Sequence, residues 1–160
     1  KLSPDTRDPK GLTFLHRACM KSPRSAHFLL GIGANPYLQT THEKQTPLHL
    51  ACKNGYLSVV RALILQKSSY VNQFDCLSNT ALHYCILGIT GELSQTRKSD
   101  SHKLRKQVFY EIMKCLVANG CDPSITNSFE RTPHHLALKS ESSEISNLSE
   151  PLLTKDLSGD

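Results

Sequence analysis

Residues 45–52 read Gln45-Thr46-Pro47-Leu48-His49-Leu50-Ala51-Cys52, and the reading of this stretch decides the fold. Thr46 has the side chain of a helix N-cap, whose hydroxyl accepts from an orphan backbone N–H of the first turn. Pro47 suits the first helical position, where no N–H is needed. Leu48, Ala51 and Cys52 recur at helical spacing and predict one buried face. The chain repeats the stretch at Thr13-Phe14-Leu15-His16, Thr80-Ala81-Leu82-His83 and Thr132-Pro133-His134-His135. The threonines are spaced 33, 34 and 52 residues apart.

A period near 33 built on Thr-Pro-Leu-His-x-Ala marks ankyrin repeats. From about Asp8 to about Lys139 the chain resembles that family. The second half of each unit adds to the likeness. Val59-Val60-Arg61-Ala62-Leu63-Ile64 is similar to the family's outer helix, and Gly33-Ala34-Asn35-Pro36 and Gly120-Cys121-Asp122-Pro123 to its helix-ending turn. Glycine there allows a positive φ, and proline just beyond stops continuation. The resemblance implies an all-α fold: an ankyrin-repeat solenoid of helix-turn-helix units joined by β-hairpin-like loops. Lys67-Ser68-Ser69 departs from the glycine turn. The family's glycine before the threonine survives only as Gly11. Lys44, Ser78 and Glu130 replace it later, so irregular hairpin turns are expected there.

The 160 residues divide accordingly. Residues 1–7 read as a linker or the end of a preceding unit. The repeats fall at about 8–40, 41–74, 75–126 and 127–139 onward. Residues 140–160 read as a capping segment or a disordered tail, with Ile145, Leu148, Leu152 and Leu153 available to a cap. The third unit is 19 residues longer than a 33-residue repeat. Its inner helix is expected to turn near Ile89 and the outer helix to resume around Lys103, with some of the excess lengthening the outer helix backwards. The intervening ITGELSQTRKSDSHK, an insertion near 89–102, is rich in Ser, Thr and charge and reads as a mobile loop. Lys98, Lys103, Arg105 and Lys106 at its end read as a solvated helix start, an acidic-partner contact or an import signal. Phosphate on Ser94, Thr96, Ser99 or Ser101 would reverse the local charge.

Composition narrows function. The net charge of +5 allows an acidic partner without demanding nucleic acid. The basic residues form no single stripe and the aromatics no stacking platform, so direct nucleic-acid binding is not expected. No apolar run reaches 18 residues, so the fragment is not expected to insert in a membrane. The six cysteines show no metal-ligand spacing and read as reduced core residues of an intracellular, cytoplasmic or nuclear protein. The chain shows no Gly-x-Ser-x-Gly, no phosphate-cradling loop and no His-Glu-x-x-His. His16, His49, His83 and His135 stand one repeat apart, too far to share a metal. By resemblance each bonds to backbone of the neighbouring hairpin. No catalytic residue, metal or cofactor is expected; a zinc site from His83, Cys85, Cys115 and Cys121 lacks ligand doublets.

The resemblance implies recognition of a partner protein or peptide on the concave surface, by a monomeric domain within a larger scaffold, adaptor or channel protein. A transcription-regulatory ankyrin domain and the regulatory end of an enzyme are the alternatives. In the family, contact residues precede the threonine or sit late on the inner helix. The matching positions are Lys10, Leu12, Met20 and Lys21; His42, Glu43, Gln45, Lys53 and Asn54; Phe74, Cys76, Leu77, Asn79 and Leu87; and Phe129, Arg131 and Lys139. Phe74, Leu77, Leu87 and Phe129 are the expected anchors, because they are apolar where a merely soluble surface would be polar.

Overall fold

The computed structural model describes residues 3–66, 70–93 and 100–139, and the side chains of all of these except 92, 93, 100–103 and 139. Among them are seven helices: α1 (Phe14–Lys21), α2 (Pro23–Gly31), α3 (Pro47–Lys53), α4 (Leu57–Gln66), α5 (Ala81–Leu93), α6 (Asp100–Ala118) and α7 (Pro133–Lys139). The described residues hold no strand, only an isolated bridge between Arg7 and Thr13. The inner row stacks α1 on α3, α3 on α5 and α5 on α7, and the outer row stacks α2 on α4 and α4 on α6.

Each inner helix starts as its threonine dictates. Thr13 and Thr46 accept from the N–H of the histidine three residues on, and that histidine's ring accepts from the threonine N–H in return. This is a capping box with histidine in the usual place of glutamate. Ser22 ends α1 and caps α2, with Pro23 in the first turn. The core runs along both rows through Leu15, Cys19, Cys52, Val59, Val60, Leu82, Ile86, Ile112 and Leu116, all fully buried. In α2 the buried residue is Ala26; Leu29 and Leu30 are half-buried and Phe28 is exposed.

Two expectations need correction. The hairpin turns at Ser78 and Glu130 are not irregular: their φ values of 60° and 58° match the left-handed Gly11 at 74°, while the turn at Lys44, φ 55°, is one residue longer, closed by Thr40 N–H to Gln45 O. Backbone bonds hold Ser78 and Glu130 there. Ser78 N–H donates to Asp75 O at 3.1 Å and Glu130 N–H to Asn127 O at 2.9 Å, as Gly11 N–H does to Asp8 O at 2.8 Å. The insertion is also more helical than expected. The inner helix passes Ile89 and continues to Leu93, whereas the outer helix, beginning at Asp100, is lengthened backwards as expected. No proline follows Ile89 to stop α5, and Ile86 and Ile89 stay buried on it.

Phe109, 1% exposed, explains how the lengthened unit still stacks. Its ring lies against Gly55 of the second unit's turn and Gly88 of α5. The readings at 67–69, 94–99 and 140–160, and those on the side chains of Ser101 and Lys103, fall outside the described residues.

Candidate functional site

The hairpins are built alike. Asp8, Asp75 and Asn127 each use a side-chain oxygen to accept two backbone N–H groups of the same turn. Thr40 does this once, for Gln45 N–H at 3.0 Å. Later hairpins are tied tip to tip: Cys76 N–H donates to Glu43 O and Ser128 N–H to Leu77 O, both at 2.9 Å.

The repeated histidines join each helix to the following hairpin. In His16, His49 and His83, Nδ1 accepts from the N–H of the capping threonine. The ring therefore carries its proton on Nε2, which donates to a carbonyl of the next unit. The acceptors are Gln45 O at 3.1 Å for His16, Gln73 O and Asn79 O at 3.1 and 3.2 Å for His49, and Arg131 O at 2.9 Å for His83. Burial lowers the pKa of all three, and that of His49 to about 4. His135 repeats the cap at 3.1 Å but is exposed. Beside it, the half-buried His134 occupies the place of Leu15, Leu48 and Leu82, and its Nδ1 has no hydrogen-bond partner among the described residues.

A buried polar network, not foreseen from the sequence, locks the hairpins together. Gln45 Nε2 donates to Tyr84 Oη, which donates to Asp75 Oδ2, both at 2.8 Å. Asn79 Nδ2 donates to Asp75 Oδ2 at 3.0 Å and Asn127 Nδ2 to Asn79 Oδ1 at 2.9 Å. Desolvation raises the Asp75 pKa, but the donors from Asn79, Tyr84 and Leu77 outweigh it and hold the carboxyl below its ordinary value. The available signal was Tyr84, which puts a phenol where Leu50 and Leu136 stand in neighbouring units.

The proposed contact residues separate into two groups. Lys10, Met20, Lys21, His42, Glu43, Lys53, Phe74, Cys76, Leu77, Leu87 and Phe129 are exposed. Leu12, Gln45, Asn54 and Arg131 are half-buried. Gln45 holds Tyr84, and Asn54 Nδ2 donates to Leu50 O at 2.7 Å. Asn79 is corrected from contact residue to scaffold: it is 6% exposed and its amide bridges Asp75 and Asn127. The Lys139 side chain lies outside the described residues.

The four expected anchors, Phe74, Leu77, Leu87 and Phe129, all show at least 37% of their surface. Three rows run along the stack at equivalent positions. Three residues before the cap stand Lys10, Glu43, Leu77 and Phe129. Seven after it stand Met20, Lys53, Leu87 and Lys139. Just before each hairpin stand Arg7, Gln39, Phe74 and Thr126. In that last row Arg7 Nη1 donates to Gln39 O at 2.7 Å and Gln39 Nε2 to Phe74 O at 3.0 Å. Phe74 has no donor to continue the ladder, and its ring is left to solvent.

Among the described residues no cluster of His, Cys, Asp and Glu suits a metal. Burial pushes the Cys19 and Cys121 thiols up to about 12, so both stay protonated and inert at neutral pH.

A family model described as ankyrin repeats, in three copies, matches residues 15–93. These residues are ankyrin repeats. The chain is 33% identical over 82 residues, 51% of its length, to alpha-latrotoxin-Lt1a of Latrodectus tredecimguttatus, and 32% identical over 82 residues to alpha-latrotoxin-Lhe1a of Latrodectus hesperus. Over 113 residues, 61% of its length, it is 26% identical to the transient receptor potential cation channel subfamily A member 1 homolog of Caenorhabditis elegans. The matches span 6% of each latrotoxin and 9% of the channel homolog. Ankyrin repeats are in general protein–protein interaction modules and typically non-catalytic. No helix among the described residues is long and apolar enough to cross a membrane.

Proposed function

We propose that this ankyrin array binds a partner protein or peptide along its inner-row face, as one part of a larger scaffold, adaptor or channel protein. The observation that carries the reading is the break in the ladder at Phe74. Arg7 and Gln39 use the same position to bond the next unit, whereas Phe74 gives up that bond and exposes a ring. Leu77, Leu87 and Phe129 add three more exposed apolar side chains on the third and fourth repeats. Such residues are what binding hot spots are made of. A scaffold already fixed by the buried network loses little ordering entropy on binding. The small share of each relative that is matched supports membership in a longer protein. Free thiols at all six cysteines support a reducing, intracellular setting.

The test compares Phe74→Gln/Leu77→Ser/Phe129→Ser with the outer-row variant Phe28→Ser/Leu65→Ser in quantitative capture from cell extract. Phe28 and Leu65 are 67% and 86% exposed, so both variants are expected to fold. Partners lost from the first and kept by the second support the reading. The opposite pattern moves the site to the outer row. For Phe74→Gln alone, an amide donor at the ladder position is expected to hold or raise the melting temperature while binding falls.

A further inference from the structure

The inner-row face is not uniform along its axis. On the first two repeats, Lys10, Lys21, Lys44 and Lys53 are exposed, and none stands within ion-pair distance of a carboxylate among the described residues. Arg17 differs, being paired with Asp8. Glu43 is the exposed acid at those hairpin tips. Among the described side chains the third repeat presents no exposed charge on this face. Cys76, Leu77 and Leu87 are its exposed residues, and its carboxylate, Asp75, is buried with four hydrogen-bond donors around it. Phe129, 60% exposed, prolongs the apolar half into the fourth repeat, where Glu130 is exposed and Arg131 half-buried beside it.

We infer that this face takes a polypeptide segment that is acidic over one half and apolar over the other, its carboxylates over Lys10, Lys21 and Lys53 and its apolar side chains over Leu77, Leu87 and Phe129. The inference rests on the inner-row reading above and adds the partner's chemistry and orientation to it. Unpaired lysines attract a carboxylate-bearing segment and speed its encounter, at a strength that salt reduces. Desolvated apolar side chains then hold it, at a strength that salt hardly changes. A segment laid in reverse would set carboxylates on Leu77 and Leu87, beside the buried Asp75 and away from Lys10, Lys21 and Lys53, so the polarity of the face favours one direction. A nucleic acid would also seek lysines, but it would leave the uncharged half of the face without a role.

The probe is a phage-displayed library of random 16-residue peptides panned on the 160-residue chain. Enriched peptides are expected to hold an Asp/Glu block beside Leu, Ile, Phe or Trp. Binding of a selected peptide is then followed by fluorescence anisotropy at low and high salt. Lys10→Glu/Lys21→Glu/Lys53→Glu should weaken it about tenfold at low salt, with most of the difference gone at high salt. Leu77→Ser/Phe129→Ser should weaken it about tenfold at both. A peptide with Asp and Glu changed to Asn and Gln tests the charge contribution without altering the protein. Loss on the Leu77/Phe129 variant with none on charge reversal or neutralised peptide overturns the acidic partner and leaves the inner-row reading standing. Binding untouched by either variant, or no enrichment over heat-unfolded chain, overturns both. Displacement by a 20-nucleotide single-stranded DNA overturns the polypeptide assignment.

Discussion

The phenol of Tyr84 donates to Oδ2 of Asp75 at 2.8 Å, and through this bond the second, third and fourth hairpins share one buried network. Tyr84 is 4% exposed and Asp75 8%. Removing the hydroxyl leaves a buried carboxylate with one donor fewer and Gln45 Nε2 without its acceptor. Tyr84→Phe is expected to destabilise by about 1–3 kcal/mol, seen as a lower urea midpoint. It should also raise the Asp75 pKa, measurable by NMR titration of the carboxyl carbon.

Acid should loosen the array well before its carboxylates protonate. The capping Nδ1 of His16, His49 and His83 accepts hydrogen bonds and cannot do so once protonated, and burial lowers all three pKa values, that of His49 to about 4. In the unfolded chain each returns to about 6.5. Between those values the unfolded state binds more protons than the folded one, so stability rises with pH. It is full above about pH 6.5 and is lost as pH falls toward 4. His49 alone accounts for roughly 3 kcal/mol over that window. Urea midpoints at pH 7.5, 6 and 5 should fall in that order, and His49→Gln should flatten the slope.

The three left-handed residues should be improvable. Lys44, Ser78 and Glu130 hold φ near 60°, which crowds any Cβ. Replacing each with glycine removes that strain and adds unfolded-state entropy, for a net gain of up to about 1 kcal/mol each. Gly11→Ala should do the reverse and more, since its Cβ would also run into Thr41. Thermal melts of the four single variants decide it.

These turns also show which parts of the structure were legible in the sequence. Thr13, Thr46 and Thr80 revealed the caps because capping chemistry acts over three residues. Intrinsic preference argued against positive φ at Ser78 and Glu130, yet hairpin hydrogen bonds impose it. The extra turn of α5 left no cap or proline to read. Exposure of Phe74, Leu77, Leu87 and Phe129 agrees with their positions in the repeat. The inward turn of Asn79 depends on Asn127, 48 residues away, and no local pattern reports such a pairing.

Gly88 is where the lengthened third repeat is held closest to the second. A Cβ there would fall well inside van der Waals contact distance of the Lys53 carbonyl oxygen and 2.8 Å from Cε1 of Phe109. The ring can shift; a backbone oxygen at the end of α3 cannot without moving the helix. Gly88→Ala is therefore expected to destabilise by about 2 kcal/mol, because overpacking a close helix contact outweighs alanine's better helix propensity. Gly91, three residues on in α5, has no neighbour within 4 Å and no positive φ. There the same substitution meets only the propensity effect and should stabilise by about 0.5–1 kcal/mol. Melting temperatures that move in opposite directions would confirm the tight approach of α5 to α3. A shift of the same sign in both would mean that the two helices stand farther apart.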